Sequence, residues 1–186
     1  MNNAEQKQFF QRCLYGALMQ LIQEKKFEKI SIGELCDRAG VSRMTYYRSY
    51  NNKEDIFLQH LDECFSEYRK GLKVQDFYGV SLSFFTFWKE QERDFLNAVV
   101  RSGFSHQLMG RFYTYLDDII PSMVQEQEIP AFVRSFLAGG LYKMLVDWMK
   151  DGCLDKPEEM SVFLAAGSRA LTELQVNPQN AESYEI

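Results

Sequence analysis

The sequence predicts an all-α protein of about nine helices. Three observations predict it. Apolar side chains recur at helical spacing along almost the whole chain. No stretch shows strand alternation, internal repetition or low complexity. Residues that start and stop helices stand where the periodic runs begin and end.

The elements follow in order. Phe9, Phe10, Cys13, Leu14, Ala17, Leu18, Leu21 and Ile22 mark an amphipathic first helix. Ser31 is a good N-cap for the second, and Glu34 three residues later completes a capping box. Ile32, Leu35, Cys36 and Ala39 give that helix one apolar face, and Gly40 ends it. Val41 plugs the turn, and Ser42 caps a short third helix. Asn52 reads as the N-cap of a long fourth helix marked by Ile56, Phe57, His60, Leu61, Cys64, Phe65 and Tyr68. Gly71 and Gly79 bound a connector, and five more helices are expected near 80–90, 92–102, 105–127, 130–151 and 157–175. Gly152 is placed as a C-cap, and Pro157 suits a first turn. The tail at 177–186, NPQNAESYEI, has no core pattern and is expected to be flexible.

Residues 31–53 have the economy of a helix-turn-helix: two helices, a glycine-containing turn, and a second helix able to enter a DNA major groove. On that second helix, Arg43 and Tyr47 are four apart, as are Met44 and Arg48, so these side chains share one surface. Tyr46 points to the other side and packs inward. Arginine is the commonest reader of guanine, and threonine or methionine can touch a thymine methyl. Tyrosine hydroxyls hold phosphates. Lys53 falls in the first turn of the fourth helix, where a cation opposes the helix dipole. Either it is a tolerated surface lysine, or it joins the free N–H groups there in clamping a phosphate; beside a helix-turn-helix the second reading is preferred.

The run from Ile30 to Ile56, with AGVS at 39–42, TYYRSY at 45–50 and KEDI at 53–56, resembles the DNA-binding domain of TetR/AcrR transcriptional regulators. The resemblance covers roughly the first third of the chain. It implies an N-terminal three-helix DNA-binding domain followed by a helical ligand and dimerisation domain. It places Arg43, Met44, Thr45 and Arg48 where the family reads bases. Ser31, Tyr47 and Lys53 fall where it holds phosphates. The chain departs from the family at Gly33, where members often carry a basic or polar side chain, at Met44, where small residues are common, and at Tyr50, which replaces the usual phenylalanine. FLAGGLYKMLVDWMKDG at 136–152 more weakly resembles C-terminal domains of such regulators from low-GC Gram-positive bacteria.

The expected organisation is a DNA-binding domain at 1–53, an effector-binding and dimerisation domain at 54–176, and the tail. The function it implies is a sequence-specific, dimeric repressor of a palindromic double-stranded DNA operator, released by a small apolar or aromatic effector. Residues 1–53 hold nine basic and five acidic side chains, a balance of +4, against a net −5 for the whole chain. A basic head on an acidic body suits a protein that docks only its head on DNA.

The body is crowded with aromatics. They form either a core of large side chains or a pocket for a flat effector; Phe84, Trp88, Phe104, Phe112, Tyr113 and Trp148 are the candidate lining. Gly139, Gly140, Ala166 and Ala170 give the last two helices small faces. These faces either pack the two helices together or, as the resemblance implies, meet their twins in a four-helix dimer interface.

Four scattered cysteines show no paired metal or redox spacing, and Cys13, Cys36 and Cys64 fall on apolar helical faces and read as small core hydrophobes; neither metal nor cofactor is expected. MNNAEQKQFF carries no signal-peptide pattern, VSLSFFTFW at 80–88 is too short to span a membrane, and a reduced cytoplasmic protein is expected. With two histidines and no nucleophile, metal or phosphate-loop motif, an enzyme is the least favoured class. A co-regulator acting through a protein partner is the alternative, disfavoured by the intact reading helix.

Overall fold

The computed structural model describes residues 2–73, 76–123 and 131–173. Among them are nine α-helices, one 3-10 turn and no strand: α1 (Asn3–Glu24), the turn (Phe27–Lys29), α2 (Ile32–Ala39), α3 (Arg43–Tyr47), α4 (Glu54–Gly71), α5 (Phe77–Glu90), α6 (Arg93–Ser102), α7 (Ser105–Met123), α8 (Ala131–Lys150) and α9 (Pro157–Glu173). The all-α expectation holds element by element. The predicted tail lies outside the described residues.

Two compact units form. The first takes Met1–Gly71 and Gln91–Phe112, the second Leu72–Glu90 and Tyr113–Ile186. The division falls inside α7. The first unit thus includes α4 and α6, whereas the sequence pattern puts its functional boundary at 53/54.

The first unit is built around Phe57 of α4, which is fully buried. Its ring lies 5.6 Å from Phe27, 5.9 Å from Phe95 and 5.7 Å from Phe104. Leu14, Leu18 and Leu21 of α1 and Leu35 of α2 close the same core. Each such side chain contributes about 1.5–3 kcal/mol on burial. Ion pairs stitch α1 to α2 at the rim. Arg38 holds Glu24 through two bonds of 2.8 and 2.9 Å, and Lys25 reaches Glu34 at 2.5 Å.

In the second unit, α5 packs along α9. Phe85 and Trp88 of α5 and Trp148 of α8 are almost wholly buried, with Phe85 meeting Trp148 edge to face at 5.3 Å. The buried Ser81 and Ser161 hydroxyls satisfy themselves by donating one turn back, to the Phe77 and Pro157 carbonyls.

Caps explain the boundaries, with two corrections. Ser31 does accept from the Glu34 N–H, at 3.2 Å. The Glu34 carboxylate does not complete the box, because Lys25 offers it a charged partner. The connector ends earlier than Gly79: Asp76 accepts the Gly79 N–H at 2.8 Å and so starts α5 at Phe77. Gly152 stops α8 as expected, and Cys153 after it also has positive φ.

Candidate nucleic-acid interface

Gly40 makes the sharp turn between α2 and α3. Its φ of 65° and ψ of 31° are left-handed, a conformation that costs other residues about 1–2 kcal/mol. The Val41 N–H returns to the Cys36 carbonyl at 3.0 Å, and the Val41 side chain is buried under the turn. Ser42 then caps α3 by accepting the Thr45 N–H at 3.1 Å.

Alternate faces of α3 have opposite fates. Tyr46 is 0% exposed, packed against Tyr47 and Tyr50. Burial pushes its hydroxyl up from the ordinary tyrosine range, the Asp55 and Glu54 charges adding to the shift. Its Oη has no hydrogen-bond partner among the described residues. Met44 and Tyr47, by contrast, are 68% and 59% exposed. Arg48 lies beside Met44, its guanidinium 3.8 Å from the sulfur.

The other two base-reading candidates, Thr45 and Arg43, also have local partners. The Thr45 hydroxyl bonds the Ser42 hydroxyl at 2.9 Å, leaving its methyl as the group a base could meet. The Arg43 guanidinium lies over Gly33 of α2, where a β-carbon would collide with it. The bare backbone of Gly33 therefore provides the berth of the arginine. An open depression beside it is lined by Ser31, Gly33, Glu34, Asp37, Arg38 and Arg43. The departure at Gly33 was legible in the sequence; its partnership with Arg43, ten residues away, was not.

Lys53 occupies a less solvated place than a free phosphate clamp would. Its ammonium donates to the Phe27 carbonyl at 2.5 Å and the Ile30 carbonyl at 3.0 Å, and it lies 4.3 Å over the Phe27 ring. An ammonium has three donors, so these two carbonyls leave one for an outside group. The Ile30 contact brings Lys53 beside Ser31, the N-cap of α2. Asn52 caps the start of α4 by accepting the Asp55 N–H at 2.9 Å, and Asp55 returns to the Asn51 and Asn52 N–H groups.

The six candidate effector residues do not gather in one unit. Phe104 and Phe112 belong to the first, packed on Phe57 and Phe65. Phe84, Trp88, Tyr113 and Trp148 belong to the second. There Phe84 meets Trp88 at 6.0 Å, and Tyr113 meets Tyr142 at 6.0 Å. The candidate interface residues also separate. A β-carbon on Gly139 would lie 4.0 Å from the Tyr113 hydroxyl, whereas Gly140 faces open space. Ala166 is exposed, and the Ala170 side chain lies outside the described residues. Among polar groups nearby in sequence, Arg101 donates to Gln23 and Arg111 pairs with Asp62 at 3.7 Å.

No helix among the described residues is long and apolar enough to cross a membrane. The chain matches no curated protein. It superposes on the solved structure of Lin0861 from Listeria innocua with a TM-score of 0.69 at 15% identity, covering 92% of this chain and 95% of that one. It superposes on the dihydroxyacetone kinase operon activator DhaS with a TM-score of 0.59 at 16% identity, covering 90% and 97%. At such identities the likeness shows the fold. The family itself is shown by two sequence profiles: "Bacterial regulatory proteins, tetR family" matches residues 14–59, and "Transcriptional regulator C-terminal region" matches residues 75–166. With the helix-turn-helix falling inside the first match, the chain belongs to the TetR family and is a DNA-binding transcriptional regulator rather than an enzyme.

Proposed function

We propose that this protein acts in the cytoplasm as a homodimeric repressor of a palindromic operator and that a small apolar or aromatic effector releases it. The observation that carries the reading is the divided α3: Tyr46 anchors it from below while Met44, Tyr47 and Arg48 stand exposed above. Arg43, Met44, Thr45 and Arg48 read base edges in this scheme, and Ser31, Tyr47 and the remaining Lys53 donor hold phosphates. One such head reads few base pairs. Two heads about a twofold axis read a palindrome with half-sites about one helical turn apart.

The second unit supports the pairing. Phe132 and Phe136 of α8 are 70% and 66% exposed and one turn apart, with Gly140 a turn further on. On α9, Val162 and Phe163 are exposed, followed by Ala166 and Gly167. Large apolar side chains exposed together mark an association surface. Here they join the small residues expected at a helical dimer interface.

The test is selection of bound duplexes from a random DNA pool at physiological salt. An enriched palindrome supports the reading. No enrichment from folded, dimeric protein defeats it and favours a co-regulator bound to another protein. A second sign of regulation is favoured by the name of one structural relative, DhaS, an operon activator. A reporter driven from the selected site decides between them: repression falls with effector, whereas activation requires the protein.

A further inference from the structure

His60 and Cys64 stand one turn apart on α4 and so share a face. Glu92 occupies the N-cap position of α6, yet its side chain makes no cap hydrogen bond. Its carboxylate turns instead to His60, Oε2 lying 2.8 Å from Nε2. Cys64 Sγ lies 3.3 Å from the same nitrogen. The ligating atoms of all three residues lie within 4.8 Å of one another. All three belong to the first compact unit.

The Cys64 thiol also hydrogen-bonds the Glu92 side chain, so the three polar groups converge on one another. A cation can take a lone pair from each of the three atoms. We propose that His60, Cys64 and Glu92 form a binding site for a borderline-soft divalent transition metal, zinc being the type, with one ligand atom from each residue and a fourth position left open. Nitrogen, sulfur and oxygen donors at this density are the set zinc accepts, and its filled d shell tolerates an irregular arrangement.

The charge balances. A thiolate and a carboxylate cancel the two charges of the ion around a neutral imidazole, which suits a site where Cys64 is buried and the His60 and Glu92 side chains are only 19% and 18% exposed. A metal-bound cysteine is a thiolate, so loading displaces the thiol proton to solvent. Two rings fix the orientation of the imidazole. Tyr15 stacks on it at 4.0 Å, and Phe95 meets it edge-on at 4.8 Å. An ion here ties α4 to the start of α6.

The experiment is titration of the untagged, metal-free protein with Co²⁺, followed by its thiolate charge-transfer and visible d–d absorption. One equivalent per chain, displaced by Zn²⁺, is expected. Cys64→Ser should abolish the charge-transfer band, and Cys13→Ser should keep it. Glu92→Gln should keep the band and weaken binding at least about tenfold. Absence of the band in folded protein with excess Co²⁺, or its survival in Cys64→Ser, overturns the site. If Cys64→Ser does not fold, Glu92→Gln decides: unchanged affinity overturns the site, weakened affinity supports it.

Discussion

The side chains of α3 show how much a single residue can carry. Tyr46 buries a hydroxyl that finds no partner among the described residues, and a buried unsatisfied group costs about 1–3 kcal/mol. Tyr46→Phe should therefore raise the unfolding midpoint, measured by thermal or urea denaturation, without touching the exposed reading face. Arg43→Ala should weaken cognate DNA by about 1–3 kcal/mol and relax one base position if that arginine reads a guanine. Lys53→Ala should behave differently. Because its ammonium holds two backbone carbonyls, the variant should lose about 2 kcal/mol of folding stability, as for hydrogen bonds to a charged group. A weakening on all DNA sequences alike, with a shallower salt slope, is the added signature of its phosphate contact. The inward turn of Tyr46 was legible from spacing. The carbonyl partners of Lys53, more than twenty residues back along the chain, were not, because a linear pattern holds no information on which loop a long side chain will reach.

Elements were the most legible level. Capping residues at Ser31, Ser42 and Asn52 and the stop at Gly40 act within a few residues of themselves, so the sequence displays their whole mechanism. Where a cap residue has a stronger distant partner, the local rule fails: Glu34 goes to Lys25, and Glu92 goes to His60. His60 and Cys64 could have been paired from their one-turn spacing, but comparing cysteines only with cysteines hides a mixed ligand set. The α1–α2 rim gives a pH prediction. The Arg38 hydrogen bond holds the Glu24 carboxyl below its ordinary value. A depressed carboxylate contributes stability above its unfolded value and loses it as pH falls through the folded one. Thermal melts of Glu24→Gln should thus fall below those of the parent at neutral pH and converge with them in acid. Equal separation at both pH values would exclude this linkage.

For the whole molecule, charge and exposed surface set the behaviour. The basic balance of residues 1–53 within a chain of net charge −5 confines phosphate attraction to one end. DNA affinity should consequently fall steeply with salt, since each neutralised phosphate contributes about −0.9 to the logarithmic slope. Phe132 and Phe136 expose an apolar face on α8 of the second unit. Phe136→Asp should yield a folded monomer by sedimentation analysis, with operator binding lost. A dimer that persists would place the interface elsewhere. Fold class and the reading helix were legible because both rest on short-range periodicity. The scatter of the candidate pocket aromatics over two units was not, since packing partners are set by tertiary arrangement.

The berth of Arg43 over Gly33 has a consequence for how this regulator can change its target. A methyl group at position 33 would meet the flexible end of the arginine rather than backbone, so the fold can absorb it. Gly33→Ala should leave the melting temperature near that of the parent while altering which base is preferred at one operator position. The two positions then form a mutational couple. Substituted singly, each should shift recognition by an amount that the double variant does not sum, and a non-zero interaction energy in that cycle is the measurable trace. Drift in operator sequence among descendants of this protein would accordingly be steered by a residue with no side chain of its own to read a base.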